Sequence, residues 1–126
     1  MEIKIYDIES EGIDLKYFVP EDEGFAIGIE LELGLTGAEM REVFRFTLCD
    51  KSGLLKYKIE NDLDYSNSGI ISLNDYNLLV MKNYDYNIFI SKLNLIFEES
   101  VKDQNNWKTI AKKLNKYFYW EYQNDL

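Results

Sequence analysis

The sequence predicts an α+β fold in which an N-terminal antiparallel sheet carries two C-terminal helices on one face and ends in a final C-terminal strand. Three patterns predict this fold. Apolar and polar residues alternate over 25–35 with the period of a half-exposed strand. Apolar residues recur at helical spacing from Asp85 to about Val101. Over 105–122 the spacing changes from that of a helix to that of a strand.

The chain has 126 residues, which is enough for a single domain, 1–126, with its own hydrophobic core. It contains no linker, internal repeat or low-complexity segment that would divide it. Aromatic residues make up 15% of the chain, and ten of them are tyrosines. This content predicts a thick aromatic core, a contact surface, or both.

The first quarter of the chain predicts one short strand followed by turns. Apolar residues in 3–8 indicate the strand, and the acidic residues of 9–14 then indicate a turn. The single proline, Pro20, precedes three adjacent carboxylates that we expect in a loop facing water or a cationic partner. These carboxylates belong to Glu21, Asp22 and Glu23.

The strand over 25–35 is followed by a turn at 36–38 and a second strand over 43–48, which together predict a hairpin. In the first strand the apolar side chains share one parity, while Glu30 and Glu32 share the other. Pairing of the two strands would bring Arg45 close to Glu30 or Glu32 and neutralise part of that face.

The middle of the chain is less regular. The segment 50–61 indicates either a short helix or an irregular crossing. Polar residues rich in Asn, Asp and Ser follow over 61–68 and are typical of turns. Short apolar runs at 70–73 and 78–81 then predict two strands, separated by a turn at Asn74 and Asp75.

The last third predicts two helices and a closing strand. Asp85 is placed to cap the first helix, which buries Phe89, Leu93, Ile96 and Phe97. The second helix presents an apolar face that includes Trp107 and Leu114. Phe118, Trp120 and Tyr122 then alternate with Tyr119 and Glu121, which is typical of a strand that seals the core.

The formal net charge of −9 is confined to the first half of the chain. Residues 1–64 contain sixteen acidic and seven basic residues, whereas residues 65–126 contain seven of each. Nucleic acid is therefore not expected to bind directly, because phosphate binding requires a basic surface. A basic protein is the favoured partner, although an acidic charge can also serve solubility alone.

The chain contains no histidine and one cysteine, Cys49. This composition excludes histidine-based general base catalysis, Ser-His or Cys-His nucleophiles, and a Cys/His zinc site. Cys49 follows an apolar stretch and is expected to be a buried, inert thiol. With no signal peptide pattern, no membrane-length apolar run and no disulfide framework, the sequence predicts a cytoplasmic protein without a cofactor.

Two carboxylate pairs raise the alternative of a carboxylate-dependent hydrolase or a metal enzyme. Glu30 and Glu32 share one strand face, and Asp62 and Asp64 flank Leu63. Either pair could hold Mg²⁺ or act as acid and base. Such spacing is also common by chance in an acidic chain, and we favour the interpretation of a solvated sheet face and a solvated loop.

The region 65–86 is rich in tyrosine and asparagine. Four tyrosines lie in polar surroundings there, with Asp62 and Asp64 nearby: Tyr65, Tyr76, Tyr84 and Tyr86. Tyrosine gives rigid, amphipathic contact area of the kind found in protein interfaces, so these residues form a candidate recognition surface. The other interpretation is that they cover the edge of the core.

The C-terminal pattern resembles a known family. The residues that carry this resemblance are Trp107, Ile110, Ala111 and Leu114, followed by Phe118, Trp120, Glu121 and Tyr122. Together with the Pro20-Glu21-Asp22 loop and the order of strands before helices, they resemble the immunity protein 8 family of bacterial polymorphic-toxin and contact-dependent growth inhibition systems. The resemblance implies a small α+β protein that neutralises a cognate toxin domain. We expect the C-terminal motif itself to serve the fold.

The resulting hypothesis is a non-catalytic immunity protein that occludes the active or substrate-binding surface of a basic toxin, such as a nuclease. The expected contact residues are the carboxylates and tyrosines described above, which are Glu21, Asp22, Glu23, Glu30, Glu32, Asp62, Asp64, Tyr65 and Tyr76. Besides the hydrolase, a further alternative is an acidic mimic of nucleic acid that occupies a DNA- or RNA-binding protein.

Overall fold

One six-stranded sheet organises the part of the chain that the structure describes. The structure is a computed structural model and describes residues 2–56, 65, 68–104 and 106–121. It confirms the predicted α+β fold. The elements in chain order are β1 (Ile3–Glu9), β2 (Ala26–Leu35), β3 (Arg41–Cys49), α1 (Lys51–Leu55), β4 (Ile70–Leu73), β5 (Leu78–Met81), α2 (Tyr86–Val101), α3 (Trp107–Leu114) and β6 (Tyr119–Trp120), with a 3₁₀ turn at Asn74–Tyr76.

The strands lie in the order β1-β2-β3-β5-β4, and β6 pairs with β3. The predicted hairpin of β2 and β3 is confirmed, and its register places Glu30 opposite Arg45. Strands β1 and β2, β4 and β5, and β3 and β6 are also antiparallel, whereas β3 and β5 run parallel. The N-terminal part of the sheet, β1 to β3, is antiparallel as the sequence predicts, whereas the parallel pairing of β3 with β5 is a difference from the antiparallel sheet expected.

The burial of β5 explains this difference. All four of its residues are buried, so the strand has no polar face and no alternation. Continuous apolar runs are typical of strands that are covered on both faces, as parallel strands usually are. The sequence of β5 therefore predicts a strand without revealing the direction of its neighbour.

Helices α2 and α3 cover one face of the sheet and form the main core with it. The predicted core face of α2 is confirmed, because Phe89, Leu93, Ile96 and Phe97 are all buried. The predicted cap is also confirmed: the Asp85 carboxylate accepts hydrogen bonds from the backbone N–H groups of Asn87 and Ile88 at 2.9 and 3.1 Å.

A second, smaller core lies on the opposite face, beneath the short helix α1. It consists of Cys49, Leu54, Leu78 and Val80. Asp50 caps α1, and one oxygen of its carboxylate accepts hydrogen bonds from the N–H groups of Gly53 and Phe25. One side chain thus fixes both the start of α1 and its position beside β2.

The Cys49 side chain is fully buried, as the sequence predicts. Burial, with a smaller contribution from the Asp50 charge, raises the pKa of the Cys49 thiol to about 12. Because the thiolate is the reactive species, we expect Ellman's reagent at pH 8 to label the folded protein at least about a hundredfold more slowly than the protein in urea. Equal rates in both conditions would show that the thiol is exposed.

Candidate functional site

The face of β1, β2 and β3 that points away from α2 and α3 carries most of the polar side chains of the sheet. We call it the open face. It contains Glu30 and Glu32 on β2, and Arg41 and Arg45 on β3. Strand β1 adds Asp7 opposite Glu32 and Glu9 opposite Glu30. The register of three strands therefore gathers four carboxylates in one area.

Two arginines neutralise part of this charge. Arg45 contacts Glu30 at 2.9 Å, and Arg41 contacts Glu32 at 3.5 Å. The first pair confirms the prediction that the hairpin brings Arg45 to Glu30. All four side chains are more than one-third exposed, so each pair contributes about 0–1 kcal/mol to stability.

A groove of about 700 Å³ crosses the open face. Its floor includes Gly28, where an added Cβ would meet no atom within 4 Å. The wall on the β1 side is formed by residues 9–12, which link β1 to the following turn. The groove is lined by Glu9, Ser10, Glu11, Gly12, Gly28, Ile29, Glu30, Arg45, Phe46, Thr47, Tyr76, Asn77 and Tyr119.

The charges in the groove are unbalanced. Glu9, Glu11 and Glu30 contribute three carboxylates, against the single guanidinium of Arg45. A hydrogen bond with the Glu30 carboxyl, together with the negative charge of Asp7, raises the pKa of Glu9 above its ordinary value. When both carboxyls are ionised, Glu9 and Glu30 repel each other, because they are like charges on opposite residues of an antiparallel pair.

Two tyrosines stand at the far side of the groove. Tyr76 lies in the 3₁₀ turn with 53% of its surface exposed, and Tyr119 of β6 is 42% exposed. Tyr119 is opposite Arg45 in the register of β3 and β6, so it belongs to the open face. Of the predicted contact residues, the structure thus brings Glu30 and Tyr76 together in one groove.

Sequence reasoning missed Glu9, Glu11 and Tyr119 as members of this site. The alternation of Tyr119 with Phe118 and Trp120 does predict that it faces away from the core. What the sequence lacks is the register, because the pairing of β6 with β3 and of β1 with β2 depends on contacts between distant residues.

The acidic loop, Glu21 to Glu23, is a separate surface whose residues are all exposed. The segment before it exposes Tyr17 and Val19 and turns Phe18 inward. Phe18 packs edge-to-face against Phe25 and Tyr84, with ring centroids 5.6 and 5.0 Å apart. The loop is therefore anchored at its base by an aromatic cluster.

Tyr65 differs from Tyr76 in its surroundings. It is half-buried and packs against the small core that contains Cys49. Burial also raises the pKa of Tyr65. This environment matches the interpretation that Tyr65 covers the edge of a core. Asp62 and Asp64, which the sequence groups with Tyr65, lie outside the described residues.

The C-terminal motif packs into the main core. Trp120 is 5% exposed and stacks on Phe44, with centroids 5.9 Å apart and an interplanar angle of 18°. Trp107 approaches the same Phe44 ring edge-on. Leu114 and Phe118 are fully buried. Glu121 is exposed, and Tyr122 lies outside the described residues.

Neither a metal site nor a membrane-spanning helix is found in the described parts of the chain. Among these residues, no three or more His, Cys, Asp or Glu side chains form a group that could hold a metal ion. None of the helices there has the length and apolar character needed to cross a bilayer.

A protein-family model matches nearly the whole chain. The family model described as immunity protein 8 matches residues 1–124. Comparisons with curated proteins and with solved structures found no match. The family match covers β1 to β6 and includes both the open face and the C-terminal motif.

Proposed function

The chain belongs to the immunity protein 8 family, which supports an immunity function, and we propose that it binds and neutralises a cognate basic toxin domain. The toxin we propose is a nuclease effector, because a surface that binds nucleic acid is basic and complements an acidic inhibitor. The observation that carries this proposal is the placement of the charge: the whole excess of nine acidic residues lies in residues 1–64.

The proposed mechanism is occlusion without catalysis. The inhibitor covers the active or substrate-binding surface of the toxin and competes with nucleic acid for it. Partners that are oppositely charged associate faster, by up to about 10³-fold, which favours capture of a toxin before it reaches its substrate. We propose that this takes place in the bacterial cytoplasm, within a polymorphic-toxin or contact-dependent growth inhibition system. The single, buried Cys49 thiol is compatible with that reducing compartment.

The proposal predicts a toxin reading frame immediately upstream of this gene, and the product of that frame is the partner to use in the test. Co-expression of the wild-type protein should restore growth to cells that express this toxin. Association followed by stopped-flow fluorescence should slow by about tenfold or more between 50 and 500 mM NaCl, because salt screens attraction between exposed charges. A toxin that is bound at the same rate throughout this range would contradict the electrostatic part of the proposal.

Charge reversal of the predicted carboxylates tests which surface carries this attraction. The variant changes Glu21, Asp22, Glu23, Asp62 and Asp64 to lysine. We expect it to keep the circular dichroism spectrum of the folded protein, to associate more slowly and to lose most of the salt dependence. Full protection of cells by this variant would place the interface elsewhere, with the immunity function itself unaffected.

A further inference from the structure

The groove on the open face is bounded by three separate parts of the chain. Open space lies above Gly28, the wall on the β1 side is formed by residues 9–12, and Tyr76 and Tyr119 stand opposite. Each wall comes from a different part of the chain, so the groove exists only in the folded protein. Its lining combines carboxylates with aromatic rings.

Its charge indicates what it binds. Both contacts from Arg45 fall on Oε1 of Glu30, and the Glu30 carboxyl also shares a hydrogen bond with Glu9. An incoming guanidinium or ammonium group could donate hydrogen bonds to both carboxylates. Glu9 and Glu11 line the same groove and are exposed. A cation placed between them would balance the repulsion within the pair formed by Glu9 and Glu30.

The tyrosines add a second kind of attraction. The face of a tyrosine ring attracts a lysine or arginine side chain at a distance of up to about 6 Å, and this protein already uses such contacts. Arg41 lies 3.9 Å from the centre of the Tyr6 ring on the same face of the sheet. Tyr76 and Tyr119, both more than 40% exposed, could receive a cation in the same way.

We infer that this groove is the anchor point for the toxin, and that it receives an arginine or lysine side chain of the toxin between the carboxylates of Glu9, Glu11 and Glu30 and the rings of Tyr76 and Tyr119. The inference rests on the proposed function. It narrows the proposed toxin-binding surface from the acidic half of the chain to one groove. It assigns contact roles to Glu9 and Glu11, and to Tyr119, which lies far from them in the sequence.

The protonation of Glu9 supports this assignment. In the free protein the hydrogen bond with the Glu30 carboxyl and the Asp7 charge raise the pKa of Glu9, so Glu9 takes up a proton at a higher pH than an isolated glutamate does. A bound cation favours the ionised form and lowers that pKa. The charged groups that face Glu9 are Asp7, Glu30 and Glu32, with Arg45 behind Glu30. Binding should therefore weaken as the pH falls and Glu9 takes up a proton.

Two variants test the inference in different ways. The double substitution Glu9→Gln and Glu11→Gln removes two charges and keeps the size of both side chains. Gly28→Leu fills the floor of the groove from a position with open space around it. The matched control is Glu98→Gln with Glu99→Gln, because these exposed residues lie on α2, on the other side of the sheet. Glu30 is left unchanged, since its loss would release Arg45.

We expect each groove variant to raise the Kd for the toxin by about tenfold or more, with the control within about twofold of the wild type. The melting temperature distinguishes a variant that has lost affinity for the toxin from one that has lost stability of the fold. The Gln variant should melt at the same temperature as the wild-type protein at pH 7 or at a higher one, because it removes repulsion between like charges. A residue that served only the fold would lower the melting temperature and leave the affinity of the folded fraction unchanged.

The identity of the cation can be tested on the toxin. Its surface arginines and lysines are changed one at a time to alanine, and each change is combined with the Gln variant. At one toxin position the two changes should be coupled. The combined change should there raise the Kd by less than the product of the fold-increases that the two separate changes cause. If the wild-type protein protects cells while both groove variants bind as tightly as the control, the groove is not the anchor and the immunity function stands. If the wild-type protein gives no protection, the proposed immunity function is wrong, and the inference that rests on it is wrong as well.

Discussion

Replacement of Trp120 by alanine is expected to lower the free energy of unfolding by about 3–5 kcal/mol, the usual cost of removing a buried tryptophan. Trp120 is almost fully buried and stacks on the central ring of Phe44, which Trp107 contacts from another side. Its loss would leave a cavity between β3 and the C-terminal segment. Urea denaturation monitored by circular dichroism measures the effect. Cells that carry this variant should lose protection because little folded protein remains.

The neighbouring residue provides the matched control. Tyr119→Ala removes an aromatic side chain from the same short strand, but its ring lies on the open face. Substitutions of exposed residues usually change stability by within about 0.5 kcal/mol. We therefore expect Tyr119→Ala to fold normally and to bind the toxin more weakly. A stable Trp120→Ala variant that fails to bind would show that the two residues have the opposite roles.

Local patterns are sufficient to predict most of the elements. The alternation in β2, the apolar face of α2 and the capping carboxylate of Asp85 are each encoded within about a dozen residues. The burial of Cys49 and the contact of Arg45 with Glu30 follow from the same patterns once the hairpin is assumed. These features depend on residues that are close in sequence, so one sequence reveals them.

The groove could be predicted only in part. The register of the strand pairs decides which residues lie side by side in it, and the sequence does not reveal this register. The sequence predicts Glu30 as a contact residue from its charge and the alternation in β2, and Tyr76 from its polar surroundings, without a reason to place them side by side. Pairing of β1 with β2 brings Glu9 to Glu30, and pairing of β6 with β3 brings Tyr119 to Arg45. A shift of one residue in either pairing would turn these side chains to the other face. Such pairings are decided by the packing of the whole core.

The parallel pairing of β3 with β5 also depends on parts of the chain that are distant in the sequence. The chain leaves β3 through α1 and returns through β4, so the direction of β5 is set by this connection. The sequence over 50–61 predicted either a short helix or an irregular crossing, and the structure shows the short helix Lys51–Leu55. The position of that helix against the sheet depends on a glycine whose role the sequence alone does not reveal.

Gly53→Ala is expected to destabilise the protein by about 3 kcal/mol, although alanine is the better helix former by about 1 kcal/mol. A Cβ at this position would lie 1.8 Å from the carbonyl oxygen of Phe25, so α1 must move away from β2. That movement would disrupt the hydrogen bonds that Asp50 accepts from Gly53 and Phe25, and would open the small core around Cys49.

Two measurements identify this mechanism. Urea denaturation gives the loss of stability, and labelling of the Cys49 thiol under native conditions should become faster because the cover provided by α1 is displaced. Gly28→Ala is the control, since a Cβ there meets no atom within 4 Å and alanine in a strand is favoured over glycine by about 0.5–1 kcal/mol. Replacement of glycine by alanine should thus raise the free energy of unfolding at position 28 and lower it at position 53. A gain in stability at Gly53 would mean that helix propensity outweighs the contact with Phe25, and that α1 is free to shift without cost.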